Sequence, residues 1–428
     1  MVALASSDLE KFSVQEEGGK RHEFRLSSHF QPIYSLAHRR PVGYEGLIRA
    51  TDSGGRNVPP AELFSKAQQD EARIRLDRQC RAVHVRNFQR LGDARSWLFL
   101  NVDPRVATEG IRIGPFFSEM LRSNGFPAHR VAVELIETPF EDEKRLAVAV
   151  EHYRTLGCLI VIDDFGAGYS NFDRIWRLKP DIVKIDREMT RRVTVEPLAR
   201  RMFTEIISVL HETGALVCVE GIETEAEALC ATDADADLVQ GHYFAPPGAE
   251  LLTENARRDV FERLITDFRT DIAEFQKRQH ARLGPYLAAL KNAVQDLSLG
   301  AKFSQAVQVL LKLPCTQRCY LIGRDGLQIG ANVEADRNMH ARDPRFDQMK
   351  PTAGTDWQTK SYFRRAIETP GKIQVTRPYL AVAGPKLCVT LSFDFEAPDG
   401  LQQVLCTDLD FAALAGDDLA FGVSRLHA

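Results

Sequence analysis

Oxygen-bearing side chains follow several apolar segments in the first 250 residues of this 428-residue chain. The clearest case is "LIVIDDFGAGYSN" (159–171), where Asp163 and Asp164 end an apolar run and a glycine-rich turn follows. Neighbouring strand residues point to opposite faces, so both carboxylates can converge on one cation only where the chain begins to turn. The alternative is a helix-capping aspartate beside a solvated one, and this segment alone leaves both interpretations open.

Polar residues follow other apolar runs in the same region. They are Glu45 after "VGY", Asn101 after "WLFL", Glu134 after "VAV", Glu220 after "LVCV" and Gln240 after "LV", while Lys184 lies within "DIVKID". Carboxylate and amide oxygens suit Mg²⁺ or Mn²⁺ better than zinc, and so many acids would repel one another without a cation. Two divalent ions about 3.5 to 4 Å apart can activate water for an in-line phosphoryl displacement. The pattern predicts such a site, with Lys184 orienting the water or countering developing charge.

The elements that must position these residues alternate between apolar runs and amphipathic stretches from about 25 to 250, as in parallel α/β folds. Helix-like segments, for example 143–157 and 197–214, separate eight strand candidates, which predicts a TIM-like (β/α)8 barrel. The candidates are "FQPIYSL", "PVGYEGLI", "SWLFLNV", "RVAVELI", "LIVID", "DIVKID", "ALVCVEG" and "ADLVQGHYF". Strand C-termini of a barrel open on one face, which holds the active site, so the polar residues are expected to share one mouth.

Three other regions differ from this pattern. Residues 1–24 are polar and patternless and are predicted to be a flexible lead-in, so the barrel domain covers 25–252. Apolar residues every three to four positions predict a helical connector over 253–299, interrupted at Gly284 and Pro285. From 300 to 428, a helix followed by strands predicts a separate antiparallel α+β domain, in which Asp-Gly within "RCYLIGRDGLQIGANV" indicates a hairpin.

Composition excludes several classes of function. The chain is 44% hydrophobic and 27% charged, with a formal net charge of −4, which argues against a large nucleic-acid interface. The N-terminus lacks signal-peptide features, and no apolar run reaches the roughly 18 residues of a membrane span, which predicts a cytoplasmic protein.

The eight cysteines are scattered, as free thiols would be. Cys315 and Cys319 leave a metal site or a bridge open, although no second pair accompanies them.

Taken together, the motifs resemble the EAL family of cyclic di-GMP phosphodiesterases over about 25 to 250. "YEGLIR" resembles the naming motif, and "NVDP", "ELIET", "DDFGAGYSN", "KID", "EGIET" and "QG" follow at family-like spacing. The resemblance implies a barrel whose first strand runs antiparallel to the rest. It implies hydrolysis of cyclic di-GMP to linear pGpG with two Mg²⁺ or Mn²⁺ ions per site. It also implies a homodimer, because the 164–171 loop adjoins a dimer surface in this family.

The resemblance also assigns roles to individual residues. Lys184 would position the attacking water, and Glu220 would be the general base or a water-mediated metal contact. Glu137 would anchor the 164–171 loop from behind, a supporting task on which metal sites depend, and Glu223 would support the site similarly. The implied metal ligands are Glu45, Asn101, Glu134, Asp163 and Asp164. The implied substrate contacts are Gln31, Leu47, Gln240 and Arg49, whose planar fork would pair with phosphate.

The chain departs from the family pattern in three places. Gly46 stands where Ala is usual, which removes a methyl group and adds backbone freedom. Asn171 replaces a serine of the loop, and "GHYFAPP" differs from the usual sequence after Gln240. These departures affect the expected nucleotide pocket and leave the expected metal ligands intact.

The C-terminal domain resembles, more loosely, PAS/Cache-like sensor folds. Its input would be a small cytosolic ligand or a partner protein. The candidate ligand contacts are Trp357, Tyr362, Arg364, Tyr379 and Asp408, with ordinary packing or surface roles as the alternative.

The residues favour an active phosphodiesterase regulated by the C-terminal domain. The alternative is a cyclic di-GMP receptor or adaptor without turnover, but such proteins usually lack one or more of these acids. Hydrolysis of another phosphodiester also stays open. No Gly-Gly-Asp/Glu-Glu-Phe stretch occurs in the sequence, so synthesis of cyclic di-GMP is not expected.

Overall fold

The first sheet is built from strands spread over more than 200 residues of sequence. In chain order they are β1 (Glu10–Gln15), β2 (Arg21–Ser35), β3 (Arg40–Asp52), β4 (Asn57–Val58), β5 (Trp97–Val102), β6 (Val131–Ile136), β7 (Leu159–Phe165), β8 (Ile182–Ile185), β9 (Leu216–Val219) and β10 (Leu238–Val239). The computed structural model describes residues 10–15, 21–67, 69–103, 106, 116–136, 143–168, 172–335, 352–380 and 387–416. They belong to two compact units, Met1–Arg269 and Thr270–Ala428.

Eight of these strands close into a barrel. The order is β2-β10-β9-β8-β7-β6-β5-β3, and β2 also pairs with β3, which completes the ring. Strand β2 is antiparallel to both neighbours, whereas the other barrel pairs are parallel. The predicted barrel, its eight strand candidates and its antiparallel first strand are therefore confirmed.

Alternate residues of each strand face opposite layers, as a period of two requires. One set fills the barrel interior as a single cluster (Ile33, Phe99, Ala132, Val161, Ile182, Cys218, Leu238). The other set packs against the surrounding helices, for example Leu100, Val133 and Ile162 in one cluster and Val183 and Val217 in another. These helices are α1 (Pro60–Lys66), α2 (Asp70–Arg90), α3 (Phe116–Ser123), α4 (Glu143–Thr155), α5 (Phe172–Leu178), α6 (Arg187–Arg192), α7 (Pro197–Glu212) and α8 (Glu225–Asp233), with a short 3-10 helix at Ala128–Arg130.

The structure differs from the sequence prediction at the N-terminus. Residues 10–15, expected to belong to a flexible lead-in, form β1 and pair with β2 from Glu10↔Leu26 to Gln15↔Arg21. Phe12 and Val14 are buried in a cluster with Phe24 and Leu26. The alternation of these two apolar residues is too short to stand out in the sequence, but pairing with the extended β2 buries both.

The long helix α9 (Arg258–Ser298) runs without a break through Gly284 and Pro285, where the sequence predicts an interruption. An interior proline costs about 3 kcal/mol. The residues after it bury an apolar face in the core of the second unit, which includes Tyr286, Leu290 and Leu297. Each such burial contributes roughly 1.5 to 3 kcal/mol, so packing outweighs the cost of the proline.

The second unit contains an antiparallel sheet, as predicted. Its order is β12-β11-β16-β15-β13, with β14 also paired to β15. The strands are β11 (Thr316–Gly323), β12 (Gln328–Glu334), β13 (Gln374–Val375), β14 (Tyr379–Leu380), β15 (Leu387–Glu396) and β16 (Gln402–Asp410), and the helices are α10 (Phe303–Ala306), α11 (Gln308–Lys312), α12 (Ser361–Glu368) and α13 (Phe411–Ala415). The predicted hairpin joins β11 to β12, with Gly326 at a φ of 80°.

The structure also answers two questions that the sequence raised, about the cysteines and about membrane-spanning helices. All eight cysteines are free and buried, so Cys315 and Cys319 do not form a bridge. Within the described part of the chain, no helix is long and apolar enough to span a membrane.

Candidate active site

The candidate site is the layer directly above the apolar interior of the barrel. Six polar residues each lie two positions after an apolar residue of the barrel interior, so both residues of a pair point to the same face. Four of them belong to the strands, whereas Glu220 and Gln240 directly follow β9 and β10. The pairs are Phe99 and Asn101, Ala132 and Glu134, Val161 and Asp163, Ile182 and Lys184, Cys218 and Glu220, and Leu238 and Gln240. The barrel thus brings the predicted strand-end residues to a single mouth.

Asp163 and Asp164 both reach this mouth because the end of β7 is irregular. The pairing with β8 shifts between Ile162 and Phe165, which adds one residue to β7 at the two aspartates. Asp164 has a φ of 57°, a left-handed conformation that turns its side chain away from the regular alternation. Carboxylate oxygens of Asp163, Asp164 and Glu220 consequently lie within 4.8 Å of one another.

Lys184 is the cation at the centre of the acids. Its side chain is 1% exposed, and its Nζ lies 2.6 Å from Glu134 Oε1 and 3.4 Å from Asp163 Oδ1. It also contacts Glu45 Oε2 at 3.4 Å and forms a close ion pair with Glu220. Although burial alone would lower the pKa of Lys184, the surrounding acids raise it well above its usual value, so the ammonium is charged.

Glu45 is held by neutral donors as well as by Lys184. Asn101 Nδ2 donates to Glu45 Oε1 at 2.9 Å, and Gln240 Nε2 donates to Oε2 at 2.8 Å. Burial raises the pKa of Glu45, but the charge of Lys184 and these hydrogen bonds outweigh burial and leave it lowered. Asn101 on β5 and Gln240 directly after β10 thus fix the orientation of the Glu45 carboxylate.

The remaining acids carry more negative charge than the described residues neutralise. Burial raises the pKa values of Glu134, Asp163 and Glu220; the charge of Lys184 opposes this rise and the neighbouring acids add to it. Burial and the neighbouring Asp163 raise the pKa of Asp164 to about 6. Glu134 Oε2 is fully buried and accepts no hydrogen bond from the residues that the structure describes. Among the described residues only Lys184 forms salt bridges with these acids. The donor set therefore fits hard divalent cations, which would supply the missing positive charge.

One wall of the mouth is formed by the paired strands β2 and β3. Glu45, Leu47 and Arg49 alternate on one face of β3, and Gln31 lies opposite Glu45. His29, which no sequence motif singled out, lies opposite Leu47 on this wall. Burial and then Arg49 lower the pKa of His29. His29 precedes Gln31 by two residues, so the period of a strand was the signal that could have found it.

Behind this wall, the unusual Gly46 has a structural explanation. A Cβ placed on Gly46 would lie 2.9 Å from Cγ of His84. His84 is buried on α2, its Nδ1 is 2.8 Å from Ser28 Oγ, and burial lowers its pKa to about 4. The neutral ring occupies the space that an alanine would need, so Gly46 and His84 are complementary.

Glu223 and Glu137 are the two residues that the resemblance predicts to support the metal ligands. Glu223 is about half exposed, and its Oε1 accepts a hydrogen bond from Arg191 at 3.1 Å. The structure therefore does not bring Glu223 into contact with the acids of the mouth. Glu137 lies outside the described residues, as does Asn171.

Comparison with known proteins places these residues in a family. The EAL domain profile matches residues 17–247, more than half of the chain. YkuI of Bacillus subtilis, an uncharacterised EAL-domain protein, is 26% identical over 355 residues, which cover 79% of this chain and 83% of YkuI. PdeB of Escherichia coli, named a probable cyclic di-GMP phosphodiesterase, is 31% identical over 206 residues, 46% of this chain and 38% of PdeB. RocR of Pseudomonas aeruginosa, a cyclic di-GMP phosphodiesterase, is 26% identical, with 53% and 58% covered.

A solved structure shows the same fold. The crystal structure of B. subtilis YkuI, in complex with substrate c-di-GMP and calcium, has a TM-score of 0.76 and 21% identity, and the match covers 90% of this chain and 96% of that one. By contrast, the chain spans less than two thirds of PdeB and of RocR. The profile match and the motif order confirm the resemblance seen in the sequence, and the chain belongs to the EAL family, whose members include cyclic di-GMP phosphodiesterases.

Proposed function

We propose that this chain is a phosphodiesterase that hydrolyses cyclic di-GMP to linear pGpG. The observation that carries the proposal is the convergence of Glu45, Glu134, Asp163, Asp164 and Glu220 around one buried lysine. A receptor that only binds the dinucleotide would not need so many buried acids, whose crowding is unfavourable without a cation. Family membership supports the choice of substrate.

The proposed cofactors are two Mg²⁺ or Mn²⁺ ions. Glu45, Asn101, Glu134, Asp163 and Asp164 would hold them, since carboxylate and amide oxygens are the ligands these ions prefer. When bound, such ions lower the pKa of a water molecule and stabilise the oxygens of a transferring phosphoryl group. The unneutralised acids described above support the presence of cations in the working enzyme.

The chain's own residues have distinct proposed tasks. Glu220 takes a proton from the attacking water as general base, since its carboxylate lies at the mouth beside those of Asp163 and Asp164 and a positioned carboxylate can accept such a proton. Lys184 orients the same water, since its ammonium is beside Glu220 and Glu134. Arg49, half-buried on β3, pairs with a phosphate, and Gln31 and Leu47 contact the nucleotide from the same wall.

A hydrolysis assay tests this function directly. Purified full-length chain is incubated with cyclic di-GMP and Mn²⁺ or Mg²⁺, and the product is identified by chromatography. We expect pGpG to form, Glu45→Ala to abolish turnover, and the exposed Glu151→Gln to leave it unchanged. Near-normal rates for Glu45→Ala would remove Glu45 from the metal ligands. Tight binding of cyclic di-GMP without product, with metal present, would favour the receptor function instead.

Two further parts of the proposal concern assembly and supporting residues. We propose a homodimer, supported by apolar side chains that are exposed on helices following the 164–171 loop: Trp176 on α5 is 64% exposed, and Leu198 and Met202 on α7 are 60% and 52% exposed. Sedimentation at micromolar concentration should give the dimer mass, and a monomer mass would contradict the dimer.

Glu137 and Glu223 are proposed to support the metal ligands, and Glu223→Gln should therefore lower the affinity for metal.

Regulation by the second unit is the last part of the proposed function. The boundary between the units, at residues 269 and 270, lies within the long helix α9. A continuous helix is a direct covalent path by which ligand binding in one unit can bias the other. A ligand of the second unit should therefore change the rate of cyclic di-GMP hydrolysis, and an unchanged rate at saturating ligand would contradict regulation.

A further inference from the structure

His29 faces the mouth of the barrel one layer farther out than Glu45, and the proposed catalysis gives it no task. Along β2, Ile33 belongs to the apolar interior, Gln31 lies opposite Glu45, and His29 lies opposite Leu47. Residues two positions apart on a strand point to the same face and are roughly 6.5 Å apart. The half-buried ring of His29 therefore belongs to the wall that a bound dinucleotide would meet.

The backbone around His29 is held from both sides. On one side β2 pairs with β3. On the other side Phe30 N donates to the carbonyl of Gly248 at 2.7 Å, and Gly248 N donates to the carbonyl of Phe30 at 3.0 Å. Gly248 follows directly on "GHYFAPP" (241–247), where the chain departs from the family pattern. The end of this unusual segment thus lies beside His29.

The carbonyl of Pro247 determines which nitrogen of the His29 ring carries the hydrogen. It accepts a hydrogen bond from the ring, and a carbonyl oxygen only accepts, so the nitrogen that faces it is the N–H. Burial and then the charge of Arg49 lower the pKa of His29, and the bond to Pro247 offsets this only in part. The ring is therefore neutral near physiological pH, with a lone pair on its other nitrogen.

This second nitrogen is an acceptor of fixed direction. Within the described part of the chain, no residue donates a hydrogen bond to it. Gln31 shares the wall, but its amide carries both a donor and an acceptor and can present either one by rotating. Of these two side chains, only His29 distinguishes a donor on the ligand from an acceptor.

The bases of nucleotides differ in just this respect. Guanine carries hydrogen on N1 and an amino group on C2, whereas adenine has a lone pair on N1 and only hydrogen on C2. A site built to accept from an N–H group rejects an analogue that lacks it. The ribose separates the base of a nucleotide from its phosphate, so a phosphate at the level of Glu45 leaves the base farther out, at the level of His29.

We propose that His29 selects guanine over adenine, with its unprotonated ring nitrogen accepting a hydrogen bond from N1–H or from the amino group on C2 of one substrate base. The carbonyl of Pro247 keeps the ring in the tautomer that this contact needs. The inference rests on the proposed function, because it states how the same site recognises a base of cyclic di-GMP. His29 acts in binding and specificity and takes no part in proton transfer.

Isothermal titration of the full-length chain tests the proposal, with Ca²⁺ as a hard cation for the carboxylates and at about pH 7.5, where the ring is neutral. The probes are cyclic di-GMP and cyclic di-AMP, which share the ribose–phosphate ring and differ only in their bases. Chromatography after each titration checks that the ligand is intact. We expect the unsubstituted chain to bind cyclic di-GMP more tightly than cyclic di-AMP.

The variants separate selection from general affinity. His29→Phe keeps an aromatic ring without an acceptor and should lower the ratio of the two affinities about tenfold or more, by weakening the binding of cyclic di-GMP. His29→Gln has an amide that can rotate, so it should lower the ratio by strengthening the binding of cyclic di-AMP. The matched control is His129→Phe. His129 is exposed and directly precedes Arg130 at the start of β6, at the opposite end of the barrel from the mouth, so both Kd values should stay unchanged.

The possible results lead to different conclusions. Equal weakening of both dinucleotides by His29→Phe would overturn the proposal, because the ring would then contact the ribose or phosphate that they share. Unchanged affinities in both His29 variants would overturn it too and leave the proposed hydrolysis standing. If the unsubstituted chain binds neither dinucleotide, the proposed substrate is wrong and the inference is wrong with it. Circular dichroism checks folding, and His29→Gln decides the matter if His29→Phe does not fold.

Discussion

Replacing Lys184 by methionine removes the one cation that, in the described part of the chain, forms salt bridges with the acids of the mouth, while keeping a side chain of similar size. Lys184 is 1% exposed and forms salt bridges with Glu45, Glu134, Asp163 and Glu220. Removing one partner of a buried ion pair costs about 3 to 5 kcal/mol, because the remaining charge is left buried without compensation. We expect Lys184→Met to destabilise the metal-free barrel by an amount in this range.

The cost should depend on pH. Burial and like charges raise the pKa values of Glu134, Asp163 and Glu220, and raise that of Asp164 to about 6. An acid with a raised folded-state pKa is neutral and harmless at low pH, and its contribution to stability is lost as the pH rises through that pKa. Removing Lys184 raises these pKa values further, so the loss of stability in Lys184→Met should grow from pH 5 to pH 8.

Urea unfolding with EDTA, followed by hydrogen exchange of strands β6–β9, measures the free energy of unfolding of the barrel itself. The exposed Lys372→Met is the control and should stay within about 0.5 kcal/mol of the unsubstituted chain. Mn²⁺ at about 100 times its Kd should return roughly 2.7 kcal/mol to Lys184→Met, because the carboxylates are still present. If Lys184→Met is as stable as the control in EDTA at pH 8, the view of Lys184 as the counter-charge of buried acids is refuted.

Three further experiments test separate parts of the structure. Glu220→Ala should lower kcat roughly 100-fold or more, as loss of a general base does, with the Kd for cyclic di-GMP changed little; a normal kcat would exclude that role. Gly46→Ala should lower the free energy of unfolding by about 1 to 3 kcal/mol through overpacking. In a double-mutant cycle, adding His84→Ala should recover most of this loss. The control Gly284→Ala, whose added Cβ meets no atom within 4 Å, should stabilise α9 by about 1 kcal/mol. Asp408→Asn should lower the unfolding free energy of the second unit by roughly 3 kcal/mol, because Arg318, whose Nε donates to Asp408 Oδ2 at 2.7 Å, stays buried without its carboxylate; an unchanged urea midpoint would show that the pair contributes little.

Local pattern was sufficient to predict much of the fold and the composition of the site. A single strand already contains the apolar run and the polar residue at its end. It also sets the two-residue spacing between the side chain in the barrel interior and the side chain at the mouth. These features depend on the alternation of side chains along an extended chain, which tertiary contacts do not alter. The acidic and amide side chains of the mouth, the barrel and the antiparallel sheet of the second unit followed from such patterns.

Other features depend on residues that are distant in sequence and meet only in the folded chain. The shifted pairing of β7 with β8 and the left-handed Asp164 bring adjacent carboxylates together. The ring of His84 decides that position 46 is glycine. Glu223 pairs with Arg191, which lies 32 residues earlier in the sequence. None of these has a local signature in the sequence.

The amino-acid sequence by itself therefore determined which side chains stand at the ends of strands, and with them the chemistry that the mouth can perform. The tertiary structure decided which of them meet, how their charges are balanced by Lys184, and which backbone carbonyl faces the ring of His29. The physical reason is that side-chain direction along a strand or helix is a local property, whereas distance and burial depend on the packing of the whole unit.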